Sequence, residues 1–95
     1  MINETKAKVN QEFTLSLEGI PAAGYIWEAH FDDTFLQLKE KHFELYPESG
    51  IGGGGTETFT FIPLKKGVTV IRMYYKRPWE SEIAEERQYQ ITVCE

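Results

Sequence analysis

The chain has 95 residues, 41% of them hydrophobic and 14% aromatic, enough for one packed domain over residues 1–95 and too apolar for a disordered segment. That length leaves no room for a substrate cleft walled by a second lobe, so function is expected in a surface. A formal charge of -5 with no basic cluster argues against a nucleic-acid partner, and no stretch nears the about 18 apolar residues of a membrane span.

Taken in chain order, the sequence alternates. After an N-terminal strand, residues 12–17 place Phe13, Leu15 and Leu17 on one face and Glu12, Thr14 and Ser16 on the other, the period of a half-buried strand. Tyr25, Trp27, Ala29 and Phe31 repeat that period. Residues 35–46 read as one bent strand, with Leu36 and Leu38, then Phe43 and Leu45, separated by a charged Lys39-Glu40-Lys41 that suggests an edge or a bend. Further strands are predicted over 56–63, with Phe59 and Phe61 in phase, over 67–75, with Thr69, Ile71, Met73 and Tyr75 in phase, and over 86–93, with Tyr89, Ile91 and Val93 inward. Pro63 and Lys65-Lys66-Gly67 supply breaks, and only 80–87 has the composition for a turn of helix. The fold class is all-β, a sandwich.

Three stretches interrupt this pattern with apolar or backbone-exposing residues where an ordinary loop is polar. If 35–46 is a single strand, antiparallel order sends the connections at 18–24, 47–55 and 76–85 to one end, where a rigid scaffold presents a binding surface. In the first, Ile20, Pro21, Ala22, Ala23 and Gly24 form either a stiff projecting turn or an ordinary Pro/Gly turn, with Tyr25 beside it and Trp27 in core phase. In the second, Gly52, Gly53, Gly54 and Gly55 bare their amides to a partner or form a mobile hairpin loop. The tract lacks the Gly-Lys-Ser/Thr ending and following helix of a phosphate loop. In the third, Arg77, Pro78 and Trp79 combine a forked cation, a stiffened chain and a large amphipathic ring. The alternative there folds Trp79 back over the sandwich with Arg77 stacked on it.

Catalysis and metal binding find no support. His30 and His42 have no second histidine or cysteine at ligand spacing, Asp32-Asp33 reads as a solvated turn, and Cys94, the only cysteine, precludes an intrachain disulfide and has no evident activating neighbour. No catalytic residue, metal or cofactor is expected. Met1-Ile2-Asn3-Glu4 lacks the basic and apolar regions of a secretory signal, which fits a cytoplasmic protein and equally a mature fragment.

At the three stretches the chain resembles the chagasin-like inhibitors of papain-type cysteine peptidases. The family's first loop reads Asn-Pro-Thr-Thr-Gly-Tyr/Phe with a nearby Trp, matched by Pro21, Gly24, Tyr25 and Trp27. Its second, Gly-X-Gly-Gly before a Phe-X-Phe strand, is matched by Gly52, Gly54 and Gly55 with Phe59 and Phe61. Its third, Arg-Pro-Trp, is matched by Arg77, Pro78 and Trp79 after Tyr75. The resemblance implies an immunoglobulin-like antiparallel sandwich of about seven strands whose three loops enter the cleft of a papain-like cysteine peptidase without being cleaved. It also implies a non-enzyme, monomeric when free. Ile20 stands where the family has Asn, and Ala22 and Ala23 where it has threonines. Loss of those polar groups implies inhibition with altered affinity or selectivity. An immunoglobulin-like binding or adhesion module would use the same end on a partner that is not a peptidase.

Overall fold

Alternating sequence becomes alternating burial. The computed structural model describes residues 2–19, 24–45 and 54–95 and forms seven strands: β1 (Ile2–Lys8), β2 (Phe13–Gly19), β3 (Ile26–His30), β4 (Leu36–Leu45), β5 (Gly55–Pro63), β6 (Gly67–Lys76) and β7 (Glu85–Cys94). They build a four-stranded sheet ordered β1-β7-β6-β3 and a three-stranded sheet ordered β2-β5-β4. All pairings are antiparallel except β1 with β7, which is parallel. That exception follows from counting: when successive strands reverse, the first and the seventh run the same way.

The inward faces carry the residues the alternation singles out. Leu17, Trp27, Leu36, Phe59, Phe61, Ile71, Met73 and Ile91 are almost wholly buried, and each such side chain contributes about 1.5–3 kcal/mol relative to exposure. Phe13, Ala29, Phe31, Phe35, Tyr75 and Tyr89 pack around that cluster. Phe61 sits at its centre, stacked with Phe13 at 5.6 Å and met edge-on by Phe31 at 5.2 Å.

The charged Lys39-Glu40-Lys41 segment is both edge and bend. β4 is an outer strand of its sheet, and its register on β5 shifts between Leu38 and Glu40. The extra residue there changes the phase. Before the bulge Leu36 and Leu38 face Pro63 and Phe61; after it Lys41, Phe43 and Leu45 face Phe59, Glu57 and Gly55. Lys39 itself turns outward to pair with Glu12.

The turn of helix considered for 80–87 does not form, and no described residue is helical. From Glu85 the chain is in β7, with Glu85, Glu86 and Arg87 registered on Tyr75, Tyr74 and Met73. Cross-strand pairing on a long neighbouring strand overrides the helical preference of a short acidic run.

Candidate functional site

The strand ends flanking the three unusual stretches meet at one end of the sandwich. Within the smaller sheet Gly19 and Leu45 both register on Gly55. Within the larger, Ile26 registers on Lys76 and Tyr75 on Glu85. Trp27 joins the two sheets there: its indole Nε1 donates to the Glu18 carbonyl at 2.9 Å, and its backbone N–H donates to Glu57 Oε2 at 2.8 Å.

A stack of aromatic rings and cations rises from that joint. Arg87 lies 4.9 Å over the Trp27 ring, Trp27 packs on Tyr75 at 4.7 Å, Tyr75 on Tyr25 at 5.2 Å, and Arg77 lies 4.7 Å over Tyr25. Each ring–ring contact adds about 0.5–1.5 kcal/mol beyond its buried area, and each cation–ring contact about 0.5–1 kcal/mol where water still reaches it. Arg77 Nη1 also meets Glu80 Oε1 at 3.3 Å, and Arg87 Nε meets Glu85 Oε2 at 2.6 Å. Burial is the largest single influence on Arg87 and draws its pKa down, but the hydrogen bonds and charges of Glu85 and Tyr89 together outweigh it and hold the guanidinium above its ordinary value.

The Arg77-Pro78-Trp79-Glu80 segment is a turn closed by Glu80 N–H on the Arg77 carbonyl at 3.0 Å, with Pro78 at the position its fixed φ suits. Trp79 at its corner is 72% exposed, so it does not fold back over the sandwich. Arg77 stacks on Tyr25 and not on Trp79. The Trp79 ring instead leans on Gly24. That glycine has φ +85, which favours a bare Cα, and a β-carbon built on it would lie 2.7 Å from Trp79 Cη2, so the exposed ring would have to shift to admit a side chain. Gly55 is constrained likewise, since a β-carbon there would run into the Glu44 carbonyl and the Phe43 ring.

Of the residues singled out from sequence, Gly24, Tyr25, Arg77, Pro78 and Trp79 are brought together, with Gly54 and Gly55 at the adjoining end of the smaller sheet. Ile20, Pro21, Ala22, Ala23, Gly52 and Gly53 lie outside the described residues. His30 and His42 are exposed beside Glu28 and Glu44, and no group of potential metal ligands occurs among the described residues. Among those residues no helix is long and apolar enough to cross a membrane.

Sequence reasoning passed over Glu57, Lys41 and Arg87. Glu57 had a signal: it shares the parity of Phe59 and Phe61 and is only 4% exposed. Lys41 had only an indirect one, the change of phase from Leu36 and Leu38 to Phe43 and Leu45, because its inward direction depends on the bulge.

The model of the chagasin family of peptidase inhibitors matches residues 6–93. The chain belongs to that family. Amoebiasin-2 of Entamoeba histolytica is 33% identical over 73 residues, covering 75% of this chain and 59% of its own length; the chain thus spans under two thirds of this curated relative. Among solved structures, the cysteine protease inhibitor EhICP2 from Entamoeba histolytica superposes with a TM-score of 0.80 at 23% identity, covering 98% of this chain and 96% of that one. Amebosin follows with a TM-score of 0.74 at 21% identity over 96% and 88% of the two chains. PbICP-C, solved in complex with falcipain-2, gives a TM-score of 0.61 at 20% identity over 97% and 85%. At these identities the superpositions show a shared fold, the two-sheet immunoglobulin-like sandwich.

Proposed function

We propose that this chagasin-family chain is a reversible, competitive inhibitor of papain-like cysteine peptidases, acting as a single domain over residues 1–95 and monomeric when free. The observation that carries the reading is the exposed Trp79 seated on Gly24, with Arg77 on Tyr25 beside it. Family motif residues from two separate stretches thereby make one contiguous surface on a rigid scaffold.

The mechanism is occlusion. Ile20, Pro21, Ala22, Ala23, Gly24 and Tyr25 would lie nearest the peptidase's catalytic cysteine and histidine. Gly52, Gly53, Gly54 and Gly55 would face one wall of the cleft, and Arg77, Pro78 and Trp79 the other. The stack beneath Tyr25 and the turn that carries Trp79 are formed before any partner arrives, so little side-chain freedom is lost on docking. Trp79 covers apolar wall, and Arg77 forks onto a carboxylate or stacks.

Steady-state titration of a papain-like cysteine peptidase, followed by mass analysis of the inhibitor, tests this. Competitive inhibition with an intact chain is expected. A chain cut within the first loop would make it a substrate, and binding to the peptidase without blocking turnover would favour a non-inhibitory binding module.

A further inference from the structure

We propose that Glu57 and Lys41 are positioning residues that fix the angle at which the chain leaves Gly24 and enters β3, and so preset the peptidase-binding end; this rests on the inhibitor reading above. β3 is an outer strand of the larger sheet. Every second residue of such a strand turns both its N–H and its C=O away from the sheet. Trp27 is one of these, and two side chains of the opposite sheet take up both groups. Glu57 Oε2 accepts its N–H at 2.8 Å, and Lys41 Nζ donates to its carbonyl at 3.2 Å while lying 3.5 Å from Glu57 Oε1.

The carboxylate and ammonium thus form a two-point clamp on one residue, gripping the peptide units on either side of the Trp27 Cα, in a strand that belongs to the other sheet. Packing energy does not account for it. Glu57 is buried while Lys41 keeps 40% of its side chain accessible; an ion pair with a buried partner contributes no more than apolar residues of similar size, and the neighbouring inward positions of β5 are Phe59 and Phe61. What a carboxylate offers that a phenyl ring does not is a fixed direction for one N–H. The bulge between Leu38 and Glu40 serves the same end, since it is what turns Lys41 inward. Trp27 then transmits the setting: it is three residues past Gly24, and Tyr75, Tyr25 and Arg77 stack upward from its ring. A cavity of about 300 Å³ lined by Gly19, Tyr25, Ile26, Lys41, Phe43 and Glu57 lies at the clamp, leaving space into which the entry to β3 would slump if the clamp were removed.

The test compares wild type, Glu57→Leu, Lys41→Met, Glu57→Gln and a control, Val93→Ala, whose side chain is buried at the far end of β7. Inhibition constants are measured against one papain-like cysteine peptidase, at a temperature where each variant's own melting curve shows it fully folded. Amide exchange of Gly24, Tyr25 and Trp27 is followed by NMR in the free proteins. Glu57→Leu and Lys41→Met are expected to weaken inhibition about tenfold or more and to speed exchange at those three amides, the consequence of leaving a buried partner unsatisfied. Glu57→Gln, which keeps an acceptor for the Trp27 N–H, is expected to recover most of the affinity. Val93→Ala is expected to lower the melting temperature and leave inhibition unchanged.

Unaltered inhibition by folded Glu57→Leu would overturn the proposal, as would an equal loss in Val93→Ala at matched stability. If wild type itself does not inhibit, the functional reading fails, and the exchange data decide the clamp alone: faster exchange at Gly24 and Tyr25 in Glu57→Leu upholds it, and unchanged exchange removes it.

Discussion

Among the described residues, the two ends of the sandwich differ in the balance of backbone and side-chain bonds that close them. At the end away from Trp79 the chain turns tightly and satisfies itself through its backbone: Val9 N–H donates to the Cys94 carbonyl at 2.9 Å, Asn10 N–H to Pro63 at 2.9 Å, Leu64 N–H to Phe35 at 2.7 Å and Phe35 N–H to Asp32 at 3.1 Å. At the Trp79 end the sheets are joined by side chains, namely the Trp27 indole, the Glu57 carboxylate and the Lys41 ammonium. Backbone bonds depend less on side-chain identity, whereas side-chain closure ties the shape of an end to a few residues. On the proposed function, the end that meets the peptidase is the one set by particular side chains.

Substitution in the core shared by both ends should erase the contrast. Phe61→Ala removes the ring that Phe13 and Phe31 pack against and is expected to lower unfolding stability by about 3–5 kcal/mol in denaturant titration, with both ends losing amide protection together. Trp79→Ala should sharpen the contrast most. Its ring is 72% exposed, so stability should change by less than about 0.5 kcal/mol, while inhibition should weaken by about 2 kcal/mol, roughly thirtyfold.

Gly24→Ala should affect both properties to a smaller degree. A β-carbon at φ +85 against Trp79 is expected to cost about 1–2 kcal/mol of stability and to weaken inhibition severalfold by pushing the Trp79 ring off its seat.

The smallest effect belongs to the other end. Asp32 accepts from the Thr34 hydroxyl at 2.6 Å and the Thr34 N–H at 2.9 Å, and these bonds, with Lys65 nearby, hold its carboxyl below the usual value of 3.8. A folded-state pKa below the unfolded one stabilises fully above the unfolded value and is lost as pH falls through the folded one. Asp32→Ala should therefore slightly flatten the acid limb of a stability-versus-pH curve below about pH 4 and leave inhibition unchanged.

Much of this was legible in the sequence because period-two alternation is a direct consequence of pleat geometry. Phe13, Leu15 and Leu17, or Phe59 and Phe61, can face only one way, and the order of strands then brings Gly19, Leu45 and Lys76 to one end. The shared direction of β1 and β7 follows from the same counting, while their adjacency comes from the structure. Less accessible was anything that depends on contacts between sheets. The inward Lys41 needs the bulge, whose trace in sequence is the change of phase from Leu36 and Leu38 to Phe43 and Leu45. The stacking of Arg77 on Tyr25, rather than on Trp79, needs the spacing of the two sheets and has no local signature. The parity of Glu57 with Phe59 and Phe61 marks it as inward, but what a carboxylate does there shows only once its two partners are in place.

The contrast between the ends leads to one decisive measurement: hydrogen–deuterium exchange of the chain with and without an active-site-blocked and an unblocked papain-like cysteine peptidase. New protection is expected with the unblocked enzyme at Gly24, Tyr25, Gly54, Gly55 and the turn carrying Trp79, with no change around Val9, Asn10 and Asp32, and loss of the effect when the active site is filled. Protection at the Asp32 end, or equal protection with the blocked enzyme, would contradict the claim that the Trp79 end is the inhibitory surface.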